Sequence, residues 1–297
     1  MILFVFQVLS LFPLRLLQFI GRIGGMLIYA LPGRYHDRLK ANARQAGYAD
    51  SSFAWKAAAQ TGAMIMELPK IWFQPEKCLR LIQDEHQEIL ITAKQHKQPI
   101  LFLTPHLGSF EITARYGATF QPLTVMFRPP RQAFLVPVIE ATRARSGINA
   151  VPANMSGVRA FLKALRNGES VGMLPDQVPR EGDGVWAPFF GKPAWSVTLP
   201  GKLASLTNPL IIIAACERLP KGKGWKMHYI QVQDPLPEDP AAQAALFNRL
   251  MEEMIRKFPQ QYLWGYHRYK RPSTAPEPPA QTPVNSAQKD RGCSNHD

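Results

Sequence analysis

The chain opens with an almost uninterrupted apolar stretch, residues 1–31, which Arg15 and Arg22 divide. The two arginines leave no run of about 18 uncharged residues, the length that a helix needs to cross a bilayer. Arginine side chains can reach lipid phosphates while neighbouring Leu, Phe and Ile side chains face the acyl chains. The pattern therefore predicts a retained helix that anchors the protein, tilted or in the membrane plane; the alternative is a buried core helix.

Beyond this segment, short apolar runs typical of buried parallel strands alternate with helical patterns. The predicted strands are 99–104, 123–127, 170–174 and 210–215, with 225–232 as an edge strand. The predicted helices are 51–67, 86–96, 107–119, 132–145, 155–167, 196–206 and 240–257. This alternation predicts an α/β fold: a mostly parallel central sheet flanked by helices, preceded by the N-terminal membrane-anchoring helix.

The same patterns divide the chain into three parts. Residues 1–33 form the anchoring segment, and residues 34–271 form one folded domain. Residues 272–297 are rich in Pro, Ser, Thr, Ala and Gln and contain few apolar residues. Such a composition cannot bury enough apolar surface to fold, so this tail is predicted to be disordered.

Charge adds information about partners. The chain has a formal net charge of +13, which favours nucleic acid, anionic lipid head groups or an acidic carrier protein. Basic residues flank the apolar start, and no acid precedes Asp37, so the placement of charge indicates a membrane surface. The aromatic residues do not alternate with Lys and Arg as in proteins that bind single-stranded nucleic acid. No nucleic-acid partner is therefore expected.

The three cysteines, Cys78, Cys216 and Cys293, are far apart and odd in number. This usage is typical of a reducing compartment and predicts no disulfide. Cys216 ends an apolar run, which favours a buried structural thiol over a nucleophile. The chain has no metal-ligand spacing and no glycine-rich phosphate loop, so neither a metal nor a bound cofactor is expected.

The candidate chemistry lies in the segment TPHLGSFE, which follows the predicted strand 99–104. Ligands usually bind beyond the carboxyl ends of strands in an open α/β sheet, where His106 lies. Five helical steps would place His106 and Glu111 about 140° apart on a helix. If His106 instead lies in the turn before the helix, Glu111 can reach one imidazole nitrogen and leave the other free as a base.

Each candidate residue in and near this segment also has a structural interpretation. Seven His and 22 acids in 297 residues make a His followed five positions later by an acid expected about 0.5 times by chance, so His106 can also be a hydrogen-bonded structural residue. Ser109 is expected to cap the following helix rather than to act as a nucleophile. Asp176, followed by Gln177, again lies at the carboxyl end of a predicted strand; its alternative role is a turn or cap acid.

The His-x-x-x-x-Glu segment resembles the signature of the glycerolipid acyltransferase superfamily. More closely, the chain resembles the bacterial lipid A late acyltransferases, the lauroyl and myristoyl acyltransferases, over nearly its whole length to about residue 271. Further matching blocks are MFRPPR with Arg128, ATRARSGI with Arg143 and Arg145, MLPDQVPREGDGVWAPFFGKPA with Asp176, and QQYLWGYHRYK. The chain departs from the family pattern at Tyr266-His267-Arg268, where members usually carry His-Arg-Arg or His-Lys-Arg.

The resemblance implies an acyltransferase domain at 34–271. It would transfer a fatty acyl group from an acyl-carrier-protein thioester to a hydroxyl of a lipid A precursor of the Kdo-lipid IVA type. His106 would be the general base and Glu111 its partner, with direct transfer and no acyl-enzyme. The implied substrate-binding residues are Arg128, Arg143, Arg145, Asp176 and Gln177.

The same resemblance implies that the carrier thioester is the donor and that no cofactor is needed. The partners would be a membrane lipid acceptor and acyl carrier protein, with the protein on the bacterial inner membrane and its site facing the cytoplasm. The sequence itself adds one expectation: Gly182, Gly184 and Gly191, with Trp186, Phe189 and Phe190 between them, favour a loop that admits an acyl chain, with a plain hydrophobic turn as the alternative. The alternatives are a glycerophospholipid or mannosylated lipid acceptor, or a non-enzymatic basic membrane-binding protein.

Overall fold

The computed structural model describes residues 2–127, 147–179, 184–233 and 235–279. The helices in these ranges are α1 (Ile2–Leu11), α2 (Leu14–Ala30), α3 (Arg34–Gln45), α4 (Ser51–Phe73), α5 (Pro75–Leu79), α6 (Glu88–Gln95), α7 (Phe110–Gly117), α8 (Met155–Arg166), α9 (Leu199–Thr207) and α10 (Pro240–Lys257). The strands are β1 (Ile82–Gln83), β2 (Ile100–Leu103), β3 (Leu123–Phe127), β4 (Ile148–Pro152), β5 (Ser170–Met173), β6 (Gly184–Phe189), β7 (Lys192–Val197), β8 (Leu210–Arg218) and β9 (Trp225–Gln231). Short 3₁₀ turns occupy Pro220–Gly222 and Pro259–Gln261.

Within the described ranges, the main sheet has the strand order β1-β9-β8-β2-β5-β3-β4. Neighbouring strands are parallel except β8 and β9, which are antiparallel. All four residues of β2 are buried, as expected for a central parallel strand covered on both faces. The predicted mostly parallel sheet flanked by helices is confirmed. The prediction of β9 as the edge strand is wrong, because β1 pairs with its outer side.

Two further features differ from the predicted elements. Strands β6 and β7 form an antiparallel hairpin where a loop was expected, and buried Phe189 and Trp195 hold it to the core. Strand β4 was not predicted, because its sequence, INAVP, has no continuous apolar run. The predicted helix 132–145 lies outside the described residues.

The apolar N-terminus forms two helices rather than one, because Pro13 lies between α1 and α2. Lys70 Nζ donates to the carbonyls of Ser10 and Phe12, at 2.9 and 2.8 Å, and so satisfies backbone groups freed by the break. In the described part of the chain, no single helix is long and apolar enough to cross a membrane. The α2–α3 pair passes the length and composition test together, but it is bent by 97°.

Helix α2 packs against α4 through glycines. A Cβ atom placed on Gly62 would lie 1.9 Å from the Gly21 carbonyl oxygen, and one on Gly25 would lie 2.1 Å from that of Ala58. The two backbones therefore approach more closely than any larger residue allows. This contact fixes the N-terminal helices to the α/β domain and leaves other α1 and α2 side chains exposed.

The chain after residue 271 stays in contact with the domain for several residues. Ala275 is buried, and Trp186 Nε1 donates to the Pro276 carbonyl at 2.9 Å. The predicted disorder therefore does not apply to the start of the tail, because these contacts hold it. The remaining tail, 280–297, lies outside the described residues.

Candidate active site

Two neighbouring strands deliver the central pair of the site. Leu103 of β2 pairs with Met173 of β5 in a parallel register. His106 and Asp176 each follow three residues later, at the same edge of the sheet. The imidazole Nδ1 of His106 lies 2.7 Å from Asp176 Oδ1, and the His106 backbone N–H donates to Asp176 Oδ2 at 2.9 Å. The carboxylate thus fixes both the ring and the backbone of the histidine.

The environment keeps the Asp176 carboxyl ionised. Its side chain is 2% exposed, whereas that of His106 is 17% exposed. Burial acts to raise the pKa of Asp176, but the charge of His106, its two hydrogen bonds and the nearby Arg268 cation together lower that pKa below its usual value. Burial and the negative charge of Asp176 raise the pKa of the neighbouring Tyr262 hydroxyl well above its usual value. The carboxylate therefore remains a negatively charged acceptor beside the His106 ring.

The second nitrogen of the His106 ring defines the reactive side. The ionised Asp176 carboxylate can accept hydrogen bonds but cannot donate one. In the neutral ring, Nδ1 therefore carries the proton and Nε2 carries the lone pair. Gln177 Nε2 lies 3.2 Å from His106 Nε2 and donates to it in this tautomer. The ring is therefore arranged to take a proton at Nε2, with Asp176 behind it.

The turn that carries His106 is held on both sides. Gly108 has φ +62°, and a Cβ atom there would lie 2.1 Å from the Cys216 carbonyl oxygen. The Gly108 N–H donates to the Gln261 carbonyl at 3.0 Å, and Leu263 N–H donates to the His106 carbonyl at 3.0 Å. Only glycine fits this left-handed position beside the backbone of β8.

Glu111 lies in the first turn of α7, and its Oε2 accepts a hydrogen bond from Trp72 Nε1 at 3.1 Å. Trp72 stacks on Phe6 of α1, with ring centroids 5.8 Å apart. Glu111 was expected to contact His106. The structure instead places Asp176 against Nδ1 and Gln177 against Nε2 of the His106 ring. Glu111 instead connects α7 to α4 and α1. Ser109 begins α7 but makes no side-chain capping hydrogen bond.

Sequence reasoning missed Arg268. This residue is 2% exposed, and its guanidinium donates to the Trp195 carbonyl and to Ser196 Oγ, both at 2.7 Å. Burial lowers the pKa of Arg268, while Tyr262 and Asp176 counteract that shift. The available signal was the closing block QQYLWGYHRYK, which supplies both Tyr262 and Arg268. His267, which precedes Arg268 in this block, is exposed.

A buried ion pair supports the same turn from the side of the N-terminal helices. The Arg218 guanidinium donates to both oxygens of Glu67, at 2.8 Å each, and to the Gly108 carbonyl at 3.3 Å. Gln18 of α2 donates to Glu67 at 3.0 Å. The Arg218 and Glu67 side chains are 1% and 0% exposed. Helices α2 and α4 are therefore connected by hydrogen bonds to the turn after His106.

The thiols are poorly placed for nucleophilic chemistry. Cys78 and Cys216 are free and buried. Burial raises the pKa of Cys78 to about 12 and raises that of Cys216 well above its usual value; both thiols therefore stay protonated. Among the described residues, no group of three or more His, Cys, Asp or Glu side chains is arranged to hold a metal ion.

Three predicted substrate-binding residues, Arg128, Arg143 and Arg145, lie outside the described residues. Of the predicted site residues that the structure describes, it brings together His106, Asp176 and Gln177.

The profile of the family described as bacterial lipid A biosynthesis acyltransferase matches residues 1–271. The chain belongs to this family. It is therefore an acyltransferase of lipid A biosynthesis.

Individual relatives agree with the family match. The chain is 26% identical over 211 residues to the lipid A biosynthesis palmitoleoyltransferase of Escherichia coli K12, covering 70% of this chain and 68% of the relative. It is also 26% identical to the lauroyltransferase (72% and 71% covered) and to the myristoyltransferase (76% and 69% covered) of the same organism. These relatives differ from one another in the acyl group that their names specify.

Proposed function

We propose that this lipid A acyltransferase moves a fatty acyl group from an acyl-carrier-protein thioester to a hydroxyl of a lipid A precursor of the Kdo-lipid IVA type. The observation that carries the proposal is the His106–Asp176 pair, with Nδ1 bound to a buried carboxylate and a partly exposed ring. This is the arrangement of a general base that activates a hydroxyl.

In the proposed reaction, His106 Nε2 removes the proton from the acceptor hydroxyl as its oxygen attacks the thioester carbonyl. The resulting tetrahedral intermediate collapses, the carbon–sulfur bond breaks, and the new ester remains on the lipid. The imidazolium returns its proton to the departing thiolate, which leaves as a thiol on the carrier. No acyl-enzyme forms, consistent with the two buried, protonated thiols and the buried Ser109 hydroxyl.

Each neighbour of the base has a separate role. Asp176 fixes the ring tautomer and stabilises the imidazolium. The acceptor hydroxyl replaces the Gln177 amide at Nε2, and the displaced amide can then donate to the substrate. Glu111 positions α7 through Trp72. Arg128, Arg143 and Arg145 remain predicted ligands for phosphate groups or for the developing oxyanion.

The same proposal covers partners and location. Acyl carrier protein supplies the donor, and the basic character of the chain, +13 overall, suits an acidic carrier. The exposed apolar side chains of α1 and α2 support their role as the membrane anchor. We place the enzyme on the bacterial inner membrane with its site facing the cytoplasm and with no cofactor beyond the acylated carrier.

The direct test incubates detergent-solubilised enzyme with radiolabelled acyl-carrier-protein thioester and tetra-acylated lipid A precursor. Wild type should label the precursor, and His106→Ala should not. His267→Ala is the control, since that histidine is exposed and lies outside the pair. Labelling of lysophosphatidate or a mannosylated lipid in place of the precursor would contradict the acceptor, and equal activity of His106→Ala would contradict the mechanism.

A further inference from the structure

A groove of about 590 Å³ is lined by the start of α2 and by the turn Pro220–Gly222 that follows β8. Its lining includes three cationic side chains, Arg15, Arg22 and Lys221, and no acidic side chain among the described residues. Leu16 and Phe19 complete one wall. The groove therefore combines positive charge with apolar surface.

Two of the three cations of the groove are exposed to a ligand. Arg15 and Lys221 are exposed, and Nε of the partly buried Arg22 has no hydrogen-bond partner within the described ranges. The nearby carboxylate of Glu67 already accepts from both Arg218 and Gln18. Because the Arg218 cation repels Arg22, a negative charge in the groove would stabilise Arg22 through its charge.

The backbone holds these cations in a fixed relation. A Cβ atom on Gly222 would lie 2.7 Å from the Arg15 backbone nitrogen, so the turn packs directly on the first residues of α2. Lys221 lies within this tight turn with φ +58° and is exposed. Helix α2 also begins here with no acidic residue in its first turn. The groove is thus built by contacts between two separate parts of the chain.

An exposed apolar surface continues from the groove along α1 and α2. Phe19 belongs to both features and is 59% exposed. The surface comprises Phe4, Val5, Val8, Leu11, Phe12, Leu16, Phe19, Ile20, Ile23, Leu27, Ile28 and Leu31. Such a contiguous patch on one pair of helices is typical of a membrane contact.

We propose that this groove binds the phosphate of an anionic glycerophospholipid whose acyl chains lie along the exposed face of α1 and α2. Guanidinium and ammonium groups bind phosphate diesters well. The adjoining apolar residues can contact the acyl chains of a lipid, so the groove should prefer a lipid phosphate to free phosphate. The site binds a bilayer lipid and is independent of acyl transfer.

A lipid bound in the groove would orient the sheet edge that carries His106 relative to the bilayer. Strand β8 is parallel to its neighbour β2, so both carboxyl ends lie at one edge of the sheet. Arg218, which donates to the carbonyl of Gly108, precedes Lys221 by only three residues. A lipid in the groove therefore holds the edge that carries His106 against the bilayer.

The test is vesicle flotation of the purified full chain, with vesicles of phosphatidylcholine alone or mixed with phosphatidylglycerol. Wild type should bind the mixed vesicles more tightly. The double variant Arg15→Gln/Lys221→Gln should weaken that binding by about 25-fold, about fivefold for each cation removed near an anionic surface. Binding to phosphatidylcholine alone should be unchanged.

The matched control is Arg166→Gln/Lys202→Gln, which removes the same charge from exposed positions on α8 and α9. It should change binding to the mixed vesicles less than about twofold, because those cations lie away from the surface. An equal loss in both variants would overturn the site, as would equal binding of wild type to the two vesicles. Competition by inorganic phosphate as strong as by phosphatidylglycerol would assign the groove to free phosphate. Melting temperatures of all variants test whether they fold. The single variant Lys221→Gln should weaken binding to the mixed vesicles by about fivefold.

Discussion

His106 Nδ1 and Asp176 Oδ1 lie 2.7 Å apart, although the two residues are 70 positions apart in the sequence. Each residue follows a paired position of β2 or β5 by the same three residues. Because parallel neighbours deliver their carboxyl ends side by side, the strand register itself sets this distance. The pair is therefore as rigid as the centre of the sheet, as a preorganised base requires.

The turn at Gly108 should be intolerant of any side chain. Gly108→Ala would combine a left-handed φ with overlap on the Cys216 carbonyl, which shifts the turn and His106 with it. We expect kcat to fall by about 100-fold, the effect of a misplacement of about 1 Å. Steady-state acyl transfer by the folded variant measures this loss.

Gly147→Ala is the matched control, because Gly147 has φ +64° and none of the described residues has an atom within 4 Å of an added Cβ. It should show only the strain of the left-handed conformation, about 1 kcal/mol in the free energy of unfolding, with kcat unchanged. Equal kcat losses at the two glycines would show that the contact with Cys216 does not matter.

The acid stability of the protein should depend on Asp176. Its folded pKa lies below the usual value of 3.8, so its stabilising contribution is complete above that value and is lost as the pH falls through the folded pKa. Wild type should therefore melt at a higher temperature than Asp176→Asn at neutral pH, and the difference should shrink below about pH 4. Melting curves across this range test it; a difference that stays constant or grows on acidification would contradict the assignment.

The Glu67–Arg218 pair should behave as a buried ion pair. Replacing one member leaves an uncompensated buried charge, so Arg218→Met should lower the free energy of unfolding by about 3–5 kcal/mol. The double variant Glu67→Gln/Arg218→Met should recover part of that loss. Denaturant unfolding of the single and double variants forms the cycle, and strictly additive losses would argue against a direct interaction.

The crossing of α2 and α4 should depend on Gly62 but not on Gly24. Gly62→Ala places a Cβ 1.9 Å from the Gly21 carbonyl oxygen, and such overpacking costs about 1–3 kcal/mol. At Gly24 an added Cβ meets no atom of the described part of the chain within 4 Å, so Gly24→Ala should be neutral or stabilise the helix by up to about 1 kcal/mol. Thermal unfolding of both variants distinguishes them; a neutral Gly62→Ala would mean that the helices are not in close contact.

Much of the α/β domain could be predicted from sequence, since the buried strand β2 is a continuous apolar run and the amphipathic helix α10 has a clear helical period. Helix α10 begins and ends at the predicted residues. The hairpin β6–β7 was missed because its glycines and aromatic residues also fit a loop. The prediction of a single N-terminal helix was wrong because it ignored Pro13, which separates α1 from α2, as proline usually interrupts a helix.

The candidate site shows a different limit. His106 and Asp176 were each placed at the end of a strand, but apolar patterns contain no information on which strands are neighbours. Without the order β2-β5, the nearby Glu111 was the more economical partner for the histidine. Its actual contact, Trp72, lies 39 residues away on α4, beyond the reach of local spacing.

The most direct test of the account compares Asp176→Asn with Glu111→Gln in the acyl transfer assay. Asparagine cannot hold the required tautomer or stabilise the imidazolium, so kcat should fall by about 10⁴-fold. Glutamine can still accept the Trp72 hydrogen bond, so Glu111→Gln should lose less than about tenfold. If instead Glu111→Gln loses about 10⁴-fold and Asp176→Asn stays active, Glu111 is the partner of His106 and the account is wrong.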